Sequence, residues 1–403
     1  MVPHVLPLSR RRALLLAAAG ATTTWAPWAR ADDPGAERSA TWRVLSRLGY
    51  GPTPALLAQV QQAGGARAWA LREIDAAFAA SQQPIERAGL PGDFDAPLPE
   101  IFQHVAEERA ARRERRDAQS SAPAMAPAPM AAPVNALPAA MADDPLRYSA
   151  RMVRQAQDWR ITSGCRPDVE PPLLARLSEF WFNHLNVSAD KGSVRPFAGH
   201  YLVHAIRAHA FGPFDQLLLA SARHPAMLYY LDQAQSVAEG TMQGTQRRGL
   251  NENYARELME LHTLGVGSGY TQGDVRELAR VLTGWTVAPR QESGFRFAPR
   301  AHDAGVKTVL GQTFGGNPDP RAGEAEGVRA IRMLAAHPAT AHRVALRLAQ
   351  WFVADEPPPA LVEQLARRFL SSGGDTRAVL RTLVQSAAFW DPANTLFKTP
   401  YDY

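Results

Sequence analysis

Apolar residues recur at helical spacing along most of this chain. The repeat of Trp42, Leu45 and Leu48 begins a helical pattern near the N-terminus. A further helix is predicted over about residues 99–116, and it ends in a charge-dense stretch, residues 107–116, that is expected to be solvated. We therefore predict an N-terminal helical segment over residues 39–116.

A change of composition follows this segment. Residues 117–143 are rich in alanine, proline, methionine and serine, and they show no apolar periodicity. They include five prolines. Such a stretch has too few apolar positions to offset the entropy lost on ordering. The sequence therefore predicts a disordered linker over residues 117–143.

Beyond the linker the helical pattern continues nearly to the end, so residues 144–403 are predicted to form the main helical domain. Strand signals are limited to two short runs, 295–297 and 307–310, which we expect to pair across a loop. Alternating βαβ units are absent, which argues against a doubly wound sheet. The predicted fold class is all-α: a multi-helical globular domain with one small two-stranded β excursion.

The first 31 residues are organised as an export signal peptide. A serine and three arginines precede the short apolar run 14–21, and Ala29-Arg30-Ala31 resembles a cleavage site. The run is far shorter than the roughly 18 residues needed to span a bilayer. Adjacent Arg10 and Arg11 resemble a twin-arginine signal, with the general secretory route as the alternative. We expect a protein of the periplasm or cell envelope without a transmembrane helix.

Charge and cysteine content exclude several classes of function. The chain has 44 basic and 39 acidic side chains. Four of the arginines lie in residues 1–31, so the remainder carries 40 basic and 39 acidic side chains, which argues against a nucleic-acid-binding face. The single cysteine, Cys165, excludes an intramolecular disulfide framework. The P-loop, G-x-S-x-G and G-x-G-x-x-G patterns are also absent from the sequence.

The densest polar stretch lies in the predicted helix 251–264. Four polar side chains fall on one helical face: Asn253, Arg256, Glu257 and Glu260. Three apolar side chains fall on the face predicted to meet the core: Tyr254, Leu258 and Leu261. Two carboxylates one turn apart suit an acid–base pair or oxygen ligands for a metal. A salt-bridged helix surface explains the same pattern.

A second polar group lies in the loop between the two predicted strands. It contains His302, Asp303 and Lys307. The chain has 41 arginines but only three lysines, so Lys307 indicates a need for a compact ammonium group, with chance retention as the alternative.

Two further sets of histidines are candidate ligands. His184 follows an aromatic run that is expected to hold it and Asn183 at a helix end, either as a metal ligand or as a core histidine. His200 and His204 have the i, i+4 spacing of a zinc pair. The glutamate of the H-E-x-x-H motif is missing, so chance spacing is the better interpretation.

The run from Asn251 through His262 to Leu264-Gly265-Val266, continuing to Leu282-Thr283-Gly284-Trp285, closely resembles the signature of the bacterial domain-of-unknown-function family 1800. Supporting matches are Phe180-Trp181-Phe182-Asn183-His184, His224-Pro225-Ala226-Met227, His302-Asp303, Lys307 and His337-Pro338-Ala339-Thr340-Ala341. The resemblance covers about residues 40–400, apart from the linker.

This resemblance implies an exported, largely helical protein, often encoded beside a sulfatase-like exported protein, and it implies no particular reaction. The family motif carries over onto Asn183, His184, Asn251, Asn253, Arg256, Glu257, Glu260, His262, His302, Asp303 and Lys307. Members usually continue past residues 398–400, whereas this chain stops at Tyr403. A C-terminal helical layer is therefore expected to be missing.

Two functions follow as hypotheses. The first is an exported hydrolase or transferase of the cell envelope, with catalytic residues Glu257, Glu260, Lys307, Arg256 and Asn253. In this hypothesis a divalent metal binds at His184, His302 and Asp303. The second is a non-catalytic binding or maturation partner of the sulfatase-like protein, in which the polar motif is structural.

The leader generates the first testable prediction. Replacing Arg10 and Arg11 by lysine keeps the charge but removes the arginine pair, so precursor should accumulate in the cytoplasm. Immunoblots of cell fractions measure this, with Arg30→Lys as the control. Mature protein outside the cytoplasm at wild-type levels in the double variant would show that the twin-arginine assignment is wrong.

Overall fold

A computed structural model describes residues 34–121 and 144–397, apart from residues 88, 91, 244, 245, 248, 318 and 320. The predicted signal peptide lies outside the described residues. So does the predicted linker from residue 122 onward. Residues 117–121 belong to a helix, which continues past the predicted end of the charge-dense stretch.

The N-terminal segment consists of four helices: α1 (Pro34–Arg47), α2 (Pro54–Ala63), α3 (Ala66–Ser81) and α4 (Leu98–Ser121). Local capping sets the bounds of α2. The Thr53 hydroxyl accepts a hydrogen bond from the backbone N–H of Leu56 at its start. Gly64, with a φ of 85°, takes the left-handed conformation at its end.

Eleven further α-helices follow in the described part of the chain: α5 (Tyr148–Cys165), α6 (Pro172–His184), α7 (Phe214–Arg223), α8 (Pro225–Tyr230), α9 (Asn253–Glu257), α10 (Gln272–Leu282), α11 (Ala322–Ala335), α12 (Pro338–Phe352), α13 (Pro359–Ser371), α14 (Thr376–Gln385) and α15 (Ala387–Trp390). Between α6 and α7, residues 195–209 form a winding helical stretch of short 3-10, α and π turns.

Two of these helices begin with the same device. In each His-Pro-Ala sequence the histidine is the N-cap and the proline occupies the first turn. The Nδ1 atoms of His224 and His337 accept hydrogen bonds of 3.1 Å from the backbone N–H groups of Ala226 and Ala339. These two family-motif histidines therefore have a local structural role.

The strands form short antiparallel hairpins. Within the described residues, β1 (Met242–Gln243) pairs with β2 (Gln246–Arg247), β3 (Trp285–Val287) with β4 (Phe295–Phe297), and β5 (Lys307–Val309) with β6 (Gln312–Phe314). Both predicted strands exist, but the predicted pairing between them is wrong. Each pairs with a nearer segment, because short loops close at lower entropic cost and Gly294 and Gly311 supply positive φ in the turns. The all-α fold class is confirmed.

One continuous hydrophobic core runs through the described residues. It joins side chains of the N-terminal helices, such as Ile74 of α3, to side chains of the main helices, such as Leu177 of α6 and Leu380 of α14. Helix α3 packs against both α6 and α14. None of the helices in the described ranges is long and apolar enough to cross a membrane.

A buried ion pair fastens the N-terminal helices to the main core. Glu170 and Arg207 are 2% and 4% exposed, and their side chains approach to 2.9 Å. The Arg207 guanidinium also donates to the backbone carbonyls of Ala80 and Gln83, at the end of α3. A planar group with several donors satisfies all of these acceptors at once.

Arg207→Met is expected to lower the free energy of unfolding by about 3–5 kcal/mol, because it leaves the Glu170 carboxylate buried without a cation. Urea unfolding followed by circular dichroism measures this. The double variant Glu170→Met/Arg207→Met should recover part of the loss. Exposed Arg367→Gln is the control, and a loss no larger than that of the control would contradict the assignment.

Candidate functional site

The helix that carries the polar motif changes its geometry half-way. Helix α9 runs directly into a π turn, Leu258–His262. Tyr254 and Leu258 are buried as predicted, but Leu261 is 48% exposed, so its predicted place in the core is wrong. The π turn adds about one residue to the turn, which rotates Leu261 outward and turns His262 inward.

Three of the four predicted polar residues lie on the outer part of this helix. Asn253 is exposed, and its side-chain amide donates to the Leu231 carbonyl at 3.4 Å. Arg256 lies between two carboxylates, 3.4 Å from Glu252 and 3.7 Å from Glu260. This chain of partly exposed ion pairs contributes little to stability.

Glu257 points to a different place. It lines a cavity of about 340 Å³ whose polar wall contains Asn183, His184, Glu257, His262, Arg343 and Arg347. Desolvation raises the pKa of the Glu257 carboxyl, and nearby Glu260 adds to the rise, while Arg256 opposes it. The two glutamates of the motif therefore have separate environments.

His184 is held in an aromatic surrounding at the end of α6. Its ring stacks on Phe180 with centroids 6.1 Å apart and meets Trp181 and Phe214 edge-on. Nε2 donates a hydrogen bond of 3.0 Å to the backbone carbonyl of His262. Burial lowers the pKa of His184 to about 4, so the ring is neutral near pH 7 and its Nδ1 is an acceptor.

His262 is only 4% exposed and lines the same cavity. Burial, reinforced by His184 and Arg343, lowers its pKa to about 3. Among the described residues its ring nitrogens form no hydrogen bond with protein, and they are not among the fully buried atoms that lack a partner, so the ring is open to the cavity. His262 thus offers an unpartnered neutral imidazole to the cavity.

Two arginines of α12 form the opposite edge of the cavity. Arg343 and Arg347 are one helical turn apart, and in the described part of the chain neither forms an ion pair with a carboxylate. Arg343 Nε donates to the Leu261 carbonyl at 3.3 Å. Burial lowers the pKa of Arg343, the charge of Arg347 lowers it further, and Tyr270 opposes this.

The loop group forms a second, self-contained cluster. Lys307 is 1% exposed, and its Nζ lies 2.5 Å from the Asp303 carbonyl oxygen, 2.7 Å from Glu326 Oε2 and 3.4 Å from His302 Nε2. His302 Nδ1 donates to the Thr283 carbonyl at 2.9 Å. Asp303 binds Arg280 at 2.7 Å.

The residues proposed from sequence therefore separate into three places. Glu257 and His184 share the cavity; Asn253, Arg256 and Glu260 lie on the outer helix surface; His302, Asp303 and Lys307 belong to the loop cluster. Within the described ranges, no hydrogen bond or ion pair joins the loop cluster to the cavity, and no three histidine, cysteine or acidic side chains are grouped as metal ligands. The predicted set of metal ligands is thus not brought together.

Sequence reasoning missed the two arginines of the cavity. Their i, i+4 spacing was visible in the sequence, but 41 arginines made that spacing uninformative. The inward turn of His262 was also missed as a site feature, because the π turn that produces it has no signal in the apolar pattern. The absence of a carboxylate partner for Arg343 and Arg347 emerges only from the packing.

The histidine pair spaced by four residues joins a third histidine. His200 and His204 stack with centroids 4.1 Å apart, and His200 Nδ1 accepts from His224 Nε2 at 2.9 Å. Because Nδ1 of His224 caps α8, its proton resides on Nε2. His200 and His224 thus form a buried hydrogen-bonded support for the helix start, and His204 beside them is exposed.

The sequence profile of the family described as protein of unknown function (DUF1800) matches residues 43–403. The chain belongs to this family. The match includes the polar helix, the loop cluster and both arginines of α12, so the family membership predicted from the motif is confirmed. A search of curated proteins found no match, and a search of solved structures found none.

The buried histidines predict how stability depends on pH. His184 and His262 have folded-state pKa values of about 4 and 3, below the value of about 6.5 expected when unfolded. The unfolded state therefore binds more protons below pH 6.5, so their contribution to stability is lost as the pH falls. Each should cost roughly 2 kcal/mol between pH 7 and 5.

Urea unfolding at several pH values measures this dependence. His262→Gln should flatten the slope of stability against pH, whereas exposed His342→Gln should leave it unchanged. His200 and His224, whose pKa values are also lowered by burial, supply the slope that remains. A His262→Gln slope equal to that of the wild type would contradict a neutral, buried His262.

Proposed function

We propose that this protein is an exported hydrolase or transferase of the cell envelope that acts on an anionic substrate in the Glu257 cavity. One observation carries the proposal: the cavity combines two arginines that form no ion pair with a carboxylate in the described chain, a carboxyl of raised pKa and two neutral imidazoles. Residues 1–31, with the features of an export signal, support the location.

The arginines account for substrate binding. Guanidinium groups bind carboxylate, phosphate or sulfate oxygens through charge-assisted hydrogen bonds, commonly in pairs. Arg343 and Arg347 have no protein carboxylate to occupy them in the described chain, so they are available to a ligand. Asn183 and Asn186 add neutral polar groups to the same cavity.

Glu257 and the histidines account for acid–base chemistry. A carboxyl with a raised pKa is closer to the pH at which a general base or acid works best. We assign Glu257 as the group that takes a proton from an attacking water or hydroxyl. His262, neutral and unpartnered, then serves as a hydrogen-bonding group or proton relay beside it.

The remaining members of the motif are assigned to structure. Lys307, His302 and Asp303 are each hydrogen-bonded to protein, and Lys307 is buried against Glu326. Glu260 is paired with Arg256 on the outer face of the helix. The proposal assigns no role to the predicted divalent metal, because its proposed ligands lie in separate clusters.

The contrast between the two glutamates tests the proposal. Turnover of 4-nitrophenyl phosphate, sulfate and acetate is measured first, to find an ester that the wild type cleaves. Glu257→Gln should lower that rate by at least about 100-fold, the usual effect of losing a general base. Glu260→Gln should leave the rate within a factor of about three, since burial is the larger cause of the raised Glu257 pKa and Glu260 lies in a partly exposed ion pair with Arg256.

Binding of inorganic phosphate, measured by calorimetry, tests the arginines independently of turnover. Arg343→Gln/Arg347→Gln should weaken binding by at least about tenfold, the effect of losing one charge-assisted hydrogen bond. Arg367→Gln/Arg368→Gln on the neighbouring helix is the matched control, because both residues are exposed. Equal phosphate affinity in the two double variants would refute the anion site.

The second hypothesis, a non-catalytic partner of a sulfatase-like exported protein, remains a prediction of the family resemblance. Leu261, which lines the cavity, and Val266, five residues further along the chain, are both exposed apolar residues, as is common at protein contacts. Phosphate binding without turnover of any ester would favour this second function.

A further inference from the structure

A second cavity adjoins the Glu257 cavity. It has a volume of about 270 Å³, and Asn183, His184 and Arg347 line both cavities. Its remaining wall consists of Phe180, Gln350, Trp351 and Asp355. Because three side chains are shared, a ligand bound at Arg347 lies next to both spaces.

The wall of the second cavity has a different chemistry from the first. Two aromatic rings, Phe180 and Trp351, lie with centroids 5.9 Å apart, and the guanidinium carbon of Arg176 lies 4.7 Å from the Trp351 ring centroid. Amide and carboxyl groups of Gln350 and Asp355 stand beside them. An aromatic surface beside hydrogen-bond donors and acceptors fits a sugar ring, because a sugar ring has apolar C–H faces and hydroxyl groups around its edge.

We infer that the substrate is an acidic oligosaccharide, with its acidic group at Arg343 and Arg347 and a neighbouring sugar ring against Trp351. This inference rests on the proposed function and names its substrate class. The catalytic cavity holds the unit that carries the charge and the bond to be cleaved. Because the second cavity holds a neighbouring sugar ring, the affinity should increase with the number of sugar units in the ligand.

Calorimetry on the full chain tests this with four probes: trigalacturonate, galacturonate, maltotriose and inorganic phosphate. Trigalacturonate should bind at least about tenfold more tightly than galacturonate, since the second ring adds contacts worth about 1.4 kcal/mol or more. Maltotriose, which is neutral, should bind more weakly than trigalacturonate by a similar factor. Maltotriose binding as tightly as trigalacturonate would overturn the acidic class.

A variant of Trp351 separates the two cavities. Trp351→Phe replaces the indole by a smaller ring and so shrinks the aromatic surface of the second cavity. It should reduce the preference for trigalacturonate over galacturonate while leaving phosphate affinity within a factor of about two, since Trp351 does not line the first cavity.

The outcomes distinguish this inference from the proposed function. Trigalacturonate binding no tighter than galacturonate, with phosphate binding still dependent on Arg343 and Arg347, would overturn the oligosaccharide inference alone. Phosphate and galacturonate binding that the arginine variants do not change would overturn both. A length preference lost in Trp351→Phe would support the two-cavity substrate.

Discussion

The hydrogen bond from His184 Nε2 to the His262 carbonyl joins the two helices on which the candidate site depends. It connects the end of α6 to the end of the polar-motif helix. The π turn before it places both the carbonyl and the imidazole of His262 on the inner side. An α-helical turn at the same residues would point Leu261 inward instead, and the cavity would have an apolar wall.

Charge pairing distinguishes structural from functional members of the family motif. Lys307, Glu326 and His302 are as deeply buried as the cavity histidines, but each has protein partners for its polar atoms. Such a network fixes one arrangement of the loop and helix α11. In the cavity the described residues give Arg343 and Arg347 no ion pair with a carboxylate. Their side-chain hydrogen bonds there are long ones, to the Leu261 carbonyl at 3.3 Å and to Gln350 at 3.4 Å, and the His262 ring has no hydrogen bond to protein. Membership of the family motif alone does not distinguish the paired residues of the loop cluster from the residues that line the cavity.

The sequence predicts the fold well where the apolar residues follow the α-helical repeat. It predicts the fold poorly where the backbone departs from that repeat. Tyr254 and Leu258 were correctly assigned to the core, whereas Leu261 was wrong because a π turn leaves no trace in the apolar pattern. Both short strands were found, but their partners were not, since pairing depends on turn closure. Glu257 was identified from its motif. The arginines that share its cavity lie on α12, far along the chain from Glu257. Local sequence patterns do not predict how α12 packs against the polar-motif helix.

The central claim is that the Glu257 cavity binds an anion. The pKa values of the two imidazoles that line it, His184 and His262, measure this binding directly. Phosphate placed beside Arg343 and Arg347 should raise the low pKa values of both histidines, because an anion stabilises their protonated forms. Two-dimensional NMR of the ring nitrogens across a pH titration, with and without saturating phosphate, measures this. Both pKa values should rise in the wild type and stay unchanged in Arg343→Gln/Arg347→Gln. Identical titrations with and without phosphate in the wild type would contradict the account.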